Sequence, residues 1–177
     1  MVRAITVLLM SGVLVAVGAH AEVIDRQPGG FTVRESRVIA APVAKVWAAL
    51  IAPAGWWSSD HTFSHDARNL TLSPKPGGSW QETLPSGGGV RHLVVVLVDP
   101  PSMLRLEGAL GPLQALGVTG HLTFKLTAQA DGTSVTETYD AGGHAPGGLD
   151  KLADPVNGVL DEQLGRLKAH VESAGDH

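Results

Sequence analysis

The stretch LDKLADPVNGVLDEQLGRLKAHV, residues 149–171, contains the most sustained helical pattern of the chain. Its apolar residues recur every three or four positions, as they do along one face of an α-helix. They are Leu149, Leu152, Val156, Leu160, Leu164, Leu167 and Val171. Asp154 suits an N-cap and Pro155 suits the first helical position. We therefore predict a long amphipathic helix from Pro155 to about Ala174, which needs an apolar surface to cover.

The segments before this helix predict an antiparallel sheet that supplies the surface. Thr119–Ala128 alternates apolar and polar residues, and Ser134–Tyr139 returns with the same period. Between them, Asp131 and Gly132 are typical of a tight β-hairpin turn. Shorter strands, separated by Gly- and Pro-containing turns, are predicted at Leu70–Leu72, Trp80–Leu84, Arg91–Asp99 and Met103–Glu107.

The region between the N-terminus and these strands predicts one strand followed by short helices. Residues 22–30 are polar, and we interpret them as an edge strand or a loop. Phe31–Ala40 predicts a strand, but its apolar residues change phase near Ser36, which suggests a local irregularity. From Pro42 the apolar period becomes helical, with Val43, Val46, Trp47 and Leu50.

This order of elements resembles the START-like, or SRPBCC, superfamily, whose architecture is called the helix-grip fold. Four short motifs carry the resemblance: Pro42–Trp47 with Leu50, Pro53 with Trp56 and Trp57, Gly77–Trp80, and Asp99–Pro101 followed by Leu104. The chain looks most like the branch that contains the C-terminal domain of the heat-shock ATPase activator and the polyketide cyclase-like proteins.

The resemblance implies an α+β fold. A strongly curved antiparallel sheet of six or seven strands would grip the long C-terminal helix, with two short helices after the first strand. It also implies an apolar cavity between sheet and helix that holds a lipid, a polyketide or a similar small hydrophobic ligand. The superfamily has no universal catalytic residues, so the fold alone does not select an activity.

Composition narrows the range of functions. The 177 residues suit a single domain, and a formal net charge of −4 without a basic cluster argues against a nucleic-acid partner. Because the chain has no cysteine, disulfides, thiolate metal sites and cysteine nucleophiles are excluded. Asp60, His61, His65 and Asp66 match no metal-binding spacing and are interpreted as a solvated loop. We expect neither a metal nor a cofactor.

The N-terminus has the layout of a secretory signal peptide. Arg3 precedes an apolar run over residues 4–17, and Ala19-His20-Ala21 forms a small-residue cleavage site. The run is shorter than the roughly 20 residues that a transmembrane helix needs. We therefore predict a signal peptide over 1–21, cleaved after Ala21, and a single ligand-binding domain over 22–177. The mature protein would be periplasmic or secreted, without stable membrane insertion.

The candidate ligand-binding residues are bulky apolar side chains on the predicted strands and helix. They are Trp56, Trp57, Trp80, Leu104, Leu106, Phe124, Tyr139, Leu160 and Leu164. For each tryptophan, core packing is the favoured interpretation and lining or gating the cavity is the alternative, because large aromatic side chains dominate cores as well as pockets.

Two carboxylates are further candidates. Glu82 and Glu137 each lie two residues from an aromatic side chain, so strand alternation places them on the same face as that neighbour. A carboxyl on an apolar face binds a ligand by hydrogen bonds, acts as a general acid or base, or pairs with a cation. Arg91 and Arg105 are the expected cation partners.

Three functions remain open. The sequence favours an exported binding protein for a small hydrophobic molecule over catalysis. The first alternative is a cyclase, dehydratase or isomerase in which Glu82 or Glu137 moves a proton. The second is a chaperone-interaction module, which ranks last because export would separate it from a cytosolic partner and its ATP.

Overall fold

A computed structural model of the protein describes residues 20–174, which form an eight-stranded sheet and two α-helices. The strands are β1 His20–Gln27, β2 Gly30–Ile39, β3 Leu70–Leu72, β4 Ser79–Thr83, β5 Gly89–Asp99, β6 Met103–Glu107, β7 Gly117–Gln129 and β8 Gly132–His144. The helices are α1 Val43–Leu50 and α2 Ala153–Ser173. Short 3₁₀ helices occur at Pro53–Gly55, Ser59–His61, Ala67–Asn69, Gly111–Ala115 and Leu149–Leu152. Most of the predicted signal peptide, residues 1–19, lies outside the described residues.

The strand order across the sheet is β1-β2-β8-β7-β6-β5-β4-β3, and all neighbours are antiparallel. The curved sheet stays open, with β1 and β3 at its edges, and α2 packs on β1, β2 and α1. This confirms the α+β helix-grip fold. The strand number is eight rather than the predicted six or seven. The polar segment before β2 forms the extra strand, β1, because it pairs with β2 along its length, and the short helices accordingly follow the second strand.

The predicted irregularity near Ser36 is absent from β2. The strand pairs with β8 in continuous register, and every second residue from Phe31 to Ile39 faces the interior. The phase change in the sequence arises because two of these inward positions carry charged residues, Glu35 and Arg37. The sheet therefore brings a carboxyl and a guanidinium under α2.

The long helix begins two residues earlier than predicted, at Ala153, and Asp154 is not its cap. The preceding 3₁₀ helix runs directly into α2, so no residue with an extended backbone is present to cap the first turn. Asp154 instead forms an ion pair with Arg26 of β1, with an N–O distance of 2.7 Å. Within the described part of the chain, no helix combines the length and apolarity required to cross a bilayer.

Candidate functional site

A cavity of about 590 Å³ lies between the first half of α2, the segment Leu110–Leu116 and strands β4 and β5. Most of its wall is apolar, including Trp57, Leu70, Trp80, Leu113, Val156 and Leu160. Its rim carries exposed residues, among them Asp60, His61 and Phe63. The cavity is thus apolar inside and open to solvent at one side.

Only part of the predicted ligand-binding set lines this cavity. Trp57, Trp80 and Leu160 form part of its wall. Trp56, Leu104, Leu106, Phe124, Tyr139 and Leu164 are buried in the hydrophobic core instead, and neither Glu82 nor Glu137 is a wall residue. The periodicity that identifies inward-facing positions does not show where along the strands the interior stays hollow.

The three tryptophans next to α1 form one edge-to-face cluster. The ring centroids of Trp57 and Trp80 are 4.9 Å apart, and Trp56 lies 5.4 Å from Trp57 and 6.3 Å from Trp80. The indole N–H of Trp56 donates to the Ala49 carbonyl at 3.0 Å, which ties the cluster to the end of α1. Trp56 therefore serves packing, whereas its two neighbours also form the cavity wall.

A β-bulge in β5 places a histidine in the wall. Leu93 lies opposite Trp80 of β4 and Arg91 lies opposite Gln81, so His92 is the extra residue between them. Bulges commonly redirect a side chain. Here His92 and Leu93 are consecutive and both buried, and His92 is one of the residues that line the cavity. Simple alternation along β5 did not identify His92 as a site residue.

Glu82 does not line the cavity but holds the His92 ring by a hydrogen bond. Its Oε2 lies 3.0 Å from His92 Nε2 and accepts the Phe63 backbone N–H at 3.1 Å, and its Oε1 accepts the Ser64 N–H. Burial acts to raise the pKa of Glu82, but the hydrogen bonds from Ser64, Phe63 and His92 outweigh it, so the pKa is lowered. Burial also lowers the pKa of His92, against the opposing effect of Glu82. The expected arginine partner is therefore replaced by a histidine.

Arg91 and Arg105 do not pair with either candidate carboxylate. Arg91 is exposed on β5, and the Arg105 Nε donates to Thr123 Oγ1 at 3.0 Å on the neighbouring strand. Alternation along β6 explains the position of Arg105, which is out of phase with Leu104 and Leu106. On β5, the bulge at His92 takes Arg91 out of the inward phase that Leu93 and Val95 follow.

Glu137 faces a second carboxyl rather than a cation. It lies directly opposite Glu35 in the pairing of β8 with β2, and both residues are about 1% exposed. Neither oxygen of Glu137 has a hydrogen-bond partner within residues 20–174. Glu35 Oε1 has one: with the Asn157 side-chain amide oriented so that its nitrogen faces Glu35, that nitrogen donates to Oε1 at 2.8 Å. We call Glu35 and Glu137 the buried carboxyl pair.

Burial and like charge favour the protonated form of both members of this pair. Burial, followed by the nearby Asp161 charge, raises the pKa of Glu35 to about 8, although Arg37 acts in the opposite direction. Burial and the Glu35 charge raise the pKa of Glu137 well above its usual value. Arg37 is itself ion-paired with Asp161 of α2. Sequence reasoning missed Glu35, although its place between Val33 and Arg37 on the inward face of β2 was a usable signal.

Tyr139 positions the segment that closes the cavity. Its hydroxyl donates to the Gly108 carbonyl at 3.1 Å and accepts the Leu110 N–H at 3.3 Å. Burial raises its pKa to about 12, so the hydroxyl stays protonated and remains a donor. Tyr139 lies outside the cavity wall and acts on it through Leu110.

We expect Tyr139→Phe to destabilise the protein by about 1–2 kcal/mol, because two part-buried backbone groups, the Gly108 carbonyl and the Leu110 N–H, lose their partner. Amide hydrogen exchange at Leu110 and Leu113 should accelerate more than exchange in β7. Urea unfolding and exchange mass spectrometry measure the two effects. Thr136→Val is the control, since it removes a hydroxyl from the outer face of the sheet. Unchanged exchange at Leu110 would contradict this role of Tyr139.

The acidic and histidine-rich loop pairs once with α2 and once within itself. His61 Nε2 lies 3.1 Å from Glu162 Oε2 of α2, and Asp66 pairs with Arg68 at 2.6 Å. No group of three or more His, Asp or Glu side chains that suits a metal ion occurs in residues 20–174.

Residues 30–172 match the family described as "Polyketide cyclase / dehydrase and lipid transport". The chain belongs to this family. The match agrees with the helix-grip fold and confirms the resemblance drawn from the short motifs. No curated protein matches the chain.

Solved structures share the fold of this polyketide cyclase/dehydrase and lipid transport family member at low sequence identity. Protein MLL2253 from Mesorhizobium loti is 20% identical, with a TM-score of 0.58, and the alignment covers 80% of this chain and 97% of that one. Protein EF2215 from Enterococcus faecalis, of unknown function, is 16% identical with a TM-score of 0.59, and the alignment covers 89% of this chain and 79% of that one. DynU16, from the dynemicin biosynthetic locus, is 23% identical with a TM-score of 0.56, and the alignment covers 81% of this chain and 48% of that one.

Proposed function

We propose that the protein is an exported binding protein for a small hydrophobic molecule, such as a lipid or a polyketide, which it holds in the cavity beside α2. The observation that carries the proposal is an apolar cavity of about 590 Å³ with a solvent-open rim. This volume lies within the range of about 300–1,000 Å³ that is usual for small-molecule sites. The family description, which includes lipid transport, supports the same role.

Apolar burial supplies the affinity in this proposal. A ligand that buries roughly 300 Å² gains about 7 kcal/mol at about 25 cal/mol per Å², before ordering costs are subtracted. We therefore expect moderate affinity and broad tolerance of ligand shape, with orientation set by the few polar groups of the wall.

A cavity-filling variant tests the proposal. We expect N-phenyl-1-naphthylamine to bind the native protein with enhanced fluorescence, and Val156→Trp to weaken binding at least tenfold, which is about 1.4 kcal/mol. Val156 is half-buried in the wall, so its larger replacement occupies the hollow. Fluorescence titration of both proteins gives the dissociation constants.

The matched control is Val96→Trp, which places the same side chain at an exposed position of β5. It should bind the dye as the native protein does. The proposal would be wrong if the native protein does not enhance the fluorescence of the dye and carries no small molecule in native mass spectrometry.

The export part of the proposal rests on the N-terminal sequence pattern. Cleavage after Ala21 would remove the first two residues of β1 and leave Glu22–Gln27 to pair with β2. Intact-mass analysis of the protein from a periplasmic fraction should give a chain beginning at Glu22. A full-length chain that stays in the cytosolic fraction would refute export.

A second candidate function, acid–base catalysis, is favoured by the Glu82–His92 pair at the wall. A histidine held by a carboxylate can take a proton from a carbon next to a ketone, which leaves the electron pair on the carbonyl oxygen as an enolate, and then return a proton. We expect the protein in D₂O to accelerate deuterium exchange at the α-carbons of 2-tetralone. His92→Gln should abolish that acceleration, and an equal rate in native protein and variant would dismiss His92 as the base.

A further inference from the structure

Which ring nitrogen of His92 donates and which accepts indicates the polar group that a bound ligand carries. This inference rests on the proposed binding function. His92 contributes a buried imidazole to an otherwise largely apolar wall, with its side chain 8% exposed. Its Nε2 is engaged by Glu82, and its Nδ1 has no hydrogen-bond partner among residues 20–174. Because His92 lines the cavity and its Nε2 is engaged, Nδ1 is the ring nitrogen left for a ligand.

The surroundings of Glu82 determine the tautomer of the ring. Glu82 is fully buried and faces two backbone N–H groups, from Phe63 and Ser64, besides the imidazole. A protonated carboxyl would set its own O–H against a donor, whereas a carboxylate accepts from all three groups. Because an ionised Glu82 is an acceptor only, His92 Nε2 carries the hydrogen. In the neutral ring, Nδ1 is then an acceptor.

The other polar side-chain groups around the cavity are engaged, lie at its rim or are sealed from solvent. The Thr62 hydroxyl donates to the Ser59 carbonyl at 2.7 Å, and the His61 ring pairs with Glu162. Asp60 is exposed at the rim. The Trp80 indole N–H is sealed from solvent and has no partner among the described residues. These arrangements leave the Nδ1 acceptor as the polar feature that an inserted ligand meets.

We propose that the cavity selects an apolar ligand with a hydroxyl group, of the phenol or enol class, whose O–H donates to His92 Nδ1. Glu82 is the positioning residue that holds the ring in the accepting tautomer. A ligand whose oxygen can only accept, such as an ether, leaves Nδ1 buried and unpaired, which carries a desolvation cost.

A ligand pair that differs only at the oxygen tests the proposal. We expect 2-naphthol to displace N-phenyl-1-naphthylamine about tenfold more effectively than 2-methoxynaphthalene does, with naphthalene close to the methoxy compound. In His92→Phe the two oxygen compounds should bind equally while naphthalene keeps its affinity, which also shows that the variant is folded. His121→Phe, at an exposed position of β7, should keep the native preference.

The role of Glu82 needs a readout that loss of packing alone does not move. In the native protein, the ¹⁵N shifts of His92 should report a hydrogen on Nε2 and a bare Nδ1 at neutral pH. In Glu82→Gln, the same shifts should report a mixture of tautomers, and the preference for 2-naphthol should fall.

Each outcome bears on a definite claim. Equal binding of 2-naphthol and 2-methoxynaphthalene to the native protein would overturn the hydroxyl preference and leave the proposed function intact. Failure of all three naphthalene compounds and of the dye to bind would overturn the proposed function itself. A preference that survives in His92→Phe, or a hydrogen found on Nδ1, would also overturn this inference.

Discussion

The free energy of unfolding is expected to fall as the pH rises from about 5 to about 9, because the buried carboxyl pair must give up its protons. Glu35 titrates near 8 in the folded protein, against 4.5 for an ordinary glutamate, and the Glu137 pKa is raised in the same direction. Above the ordinary pKa, the unfolded chain binds fewer protons than the native one. Stability is therefore lost at up to about 1.4 kcal/mol per pH unit for each group.

Glu137→Gln should remove much of this dependence. The amide is neutral at every pH and has nearly the shape of the protonated acid, so the variant should be roughly 2–4 kcal/mol more stable than the native protein at pH 9 and nearly equal to it at pH 4. Urea unfolding at a series of pH values, followed by circular dichroism, measures the difference.

The control for this prediction is Glu107→Gln, an exposed carboxyl on β6, which should leave the pH profile unchanged. A native stability that rises between pH 5 and 9, or a Glu137→Gln profile parallel to the native one, would show that the pair does not stay protonated in the folded state.

Trp56→Ala is expected to cost about 3–5 kcal/mol of stability, the largest loss among the single substitutions considered. Trp56 is 2% exposed, stacks edge-to-face on two other tryptophans and ties them to α1 through Ala49. Trp56→Phe should cost less, since it keeps a ring and loses the N–H donor. Denaturant midpoints measured by far-ultraviolet circular dichroism compare the variants.

Val96→Ala, which truncates an exposed apolar side chain, is the control and should change stability by no more than about 0.5 kcal/mol. A loss below about 1 kcal/mol for Trp56→Ala would mean that the neighbouring rings close over the gap and that the cluster is not a rigid support for the cavity wall.

The regular parts of the fold could be predicted from periodicity, and the irregular parts could not. The apolar stripe of α2 and the hairpin turn at Asp131 appear in the structure as the sequence indicates. β1 is polar and lacks a clear period, because it is an edge strand with much of its surface in solvent, so its pairing could be seen only once β2 was placed.

For single residues of the candidate site as well, positions on regular strands could be predicted and positions at irregularities could not. Trp80 and Glu82 were correctly placed on one face of β4, because both follow simple alternation. His92 was missed because a bulge breaks the alternation of β5, and Glu35 was missed because a charged residue on an inward face was interpreted as a break in the strand. The position of the cavity depends on how closely α2 approaches each strand, which short-range patterns do not encode.

The extra residue in β5 has an evolutionary consequence. Leu93 lies opposite Trp80, so a one-codon deletion at His92 would restore regular antiparallel pairing of β4 with β5 and leave the apolar part of the wall almost unchanged. Gain or loss of a single codon would thus add or remove the imidazole of the cavity wall. Two chains that differ by this one residue would share the strand order and differ in the polarity of the cavity wall.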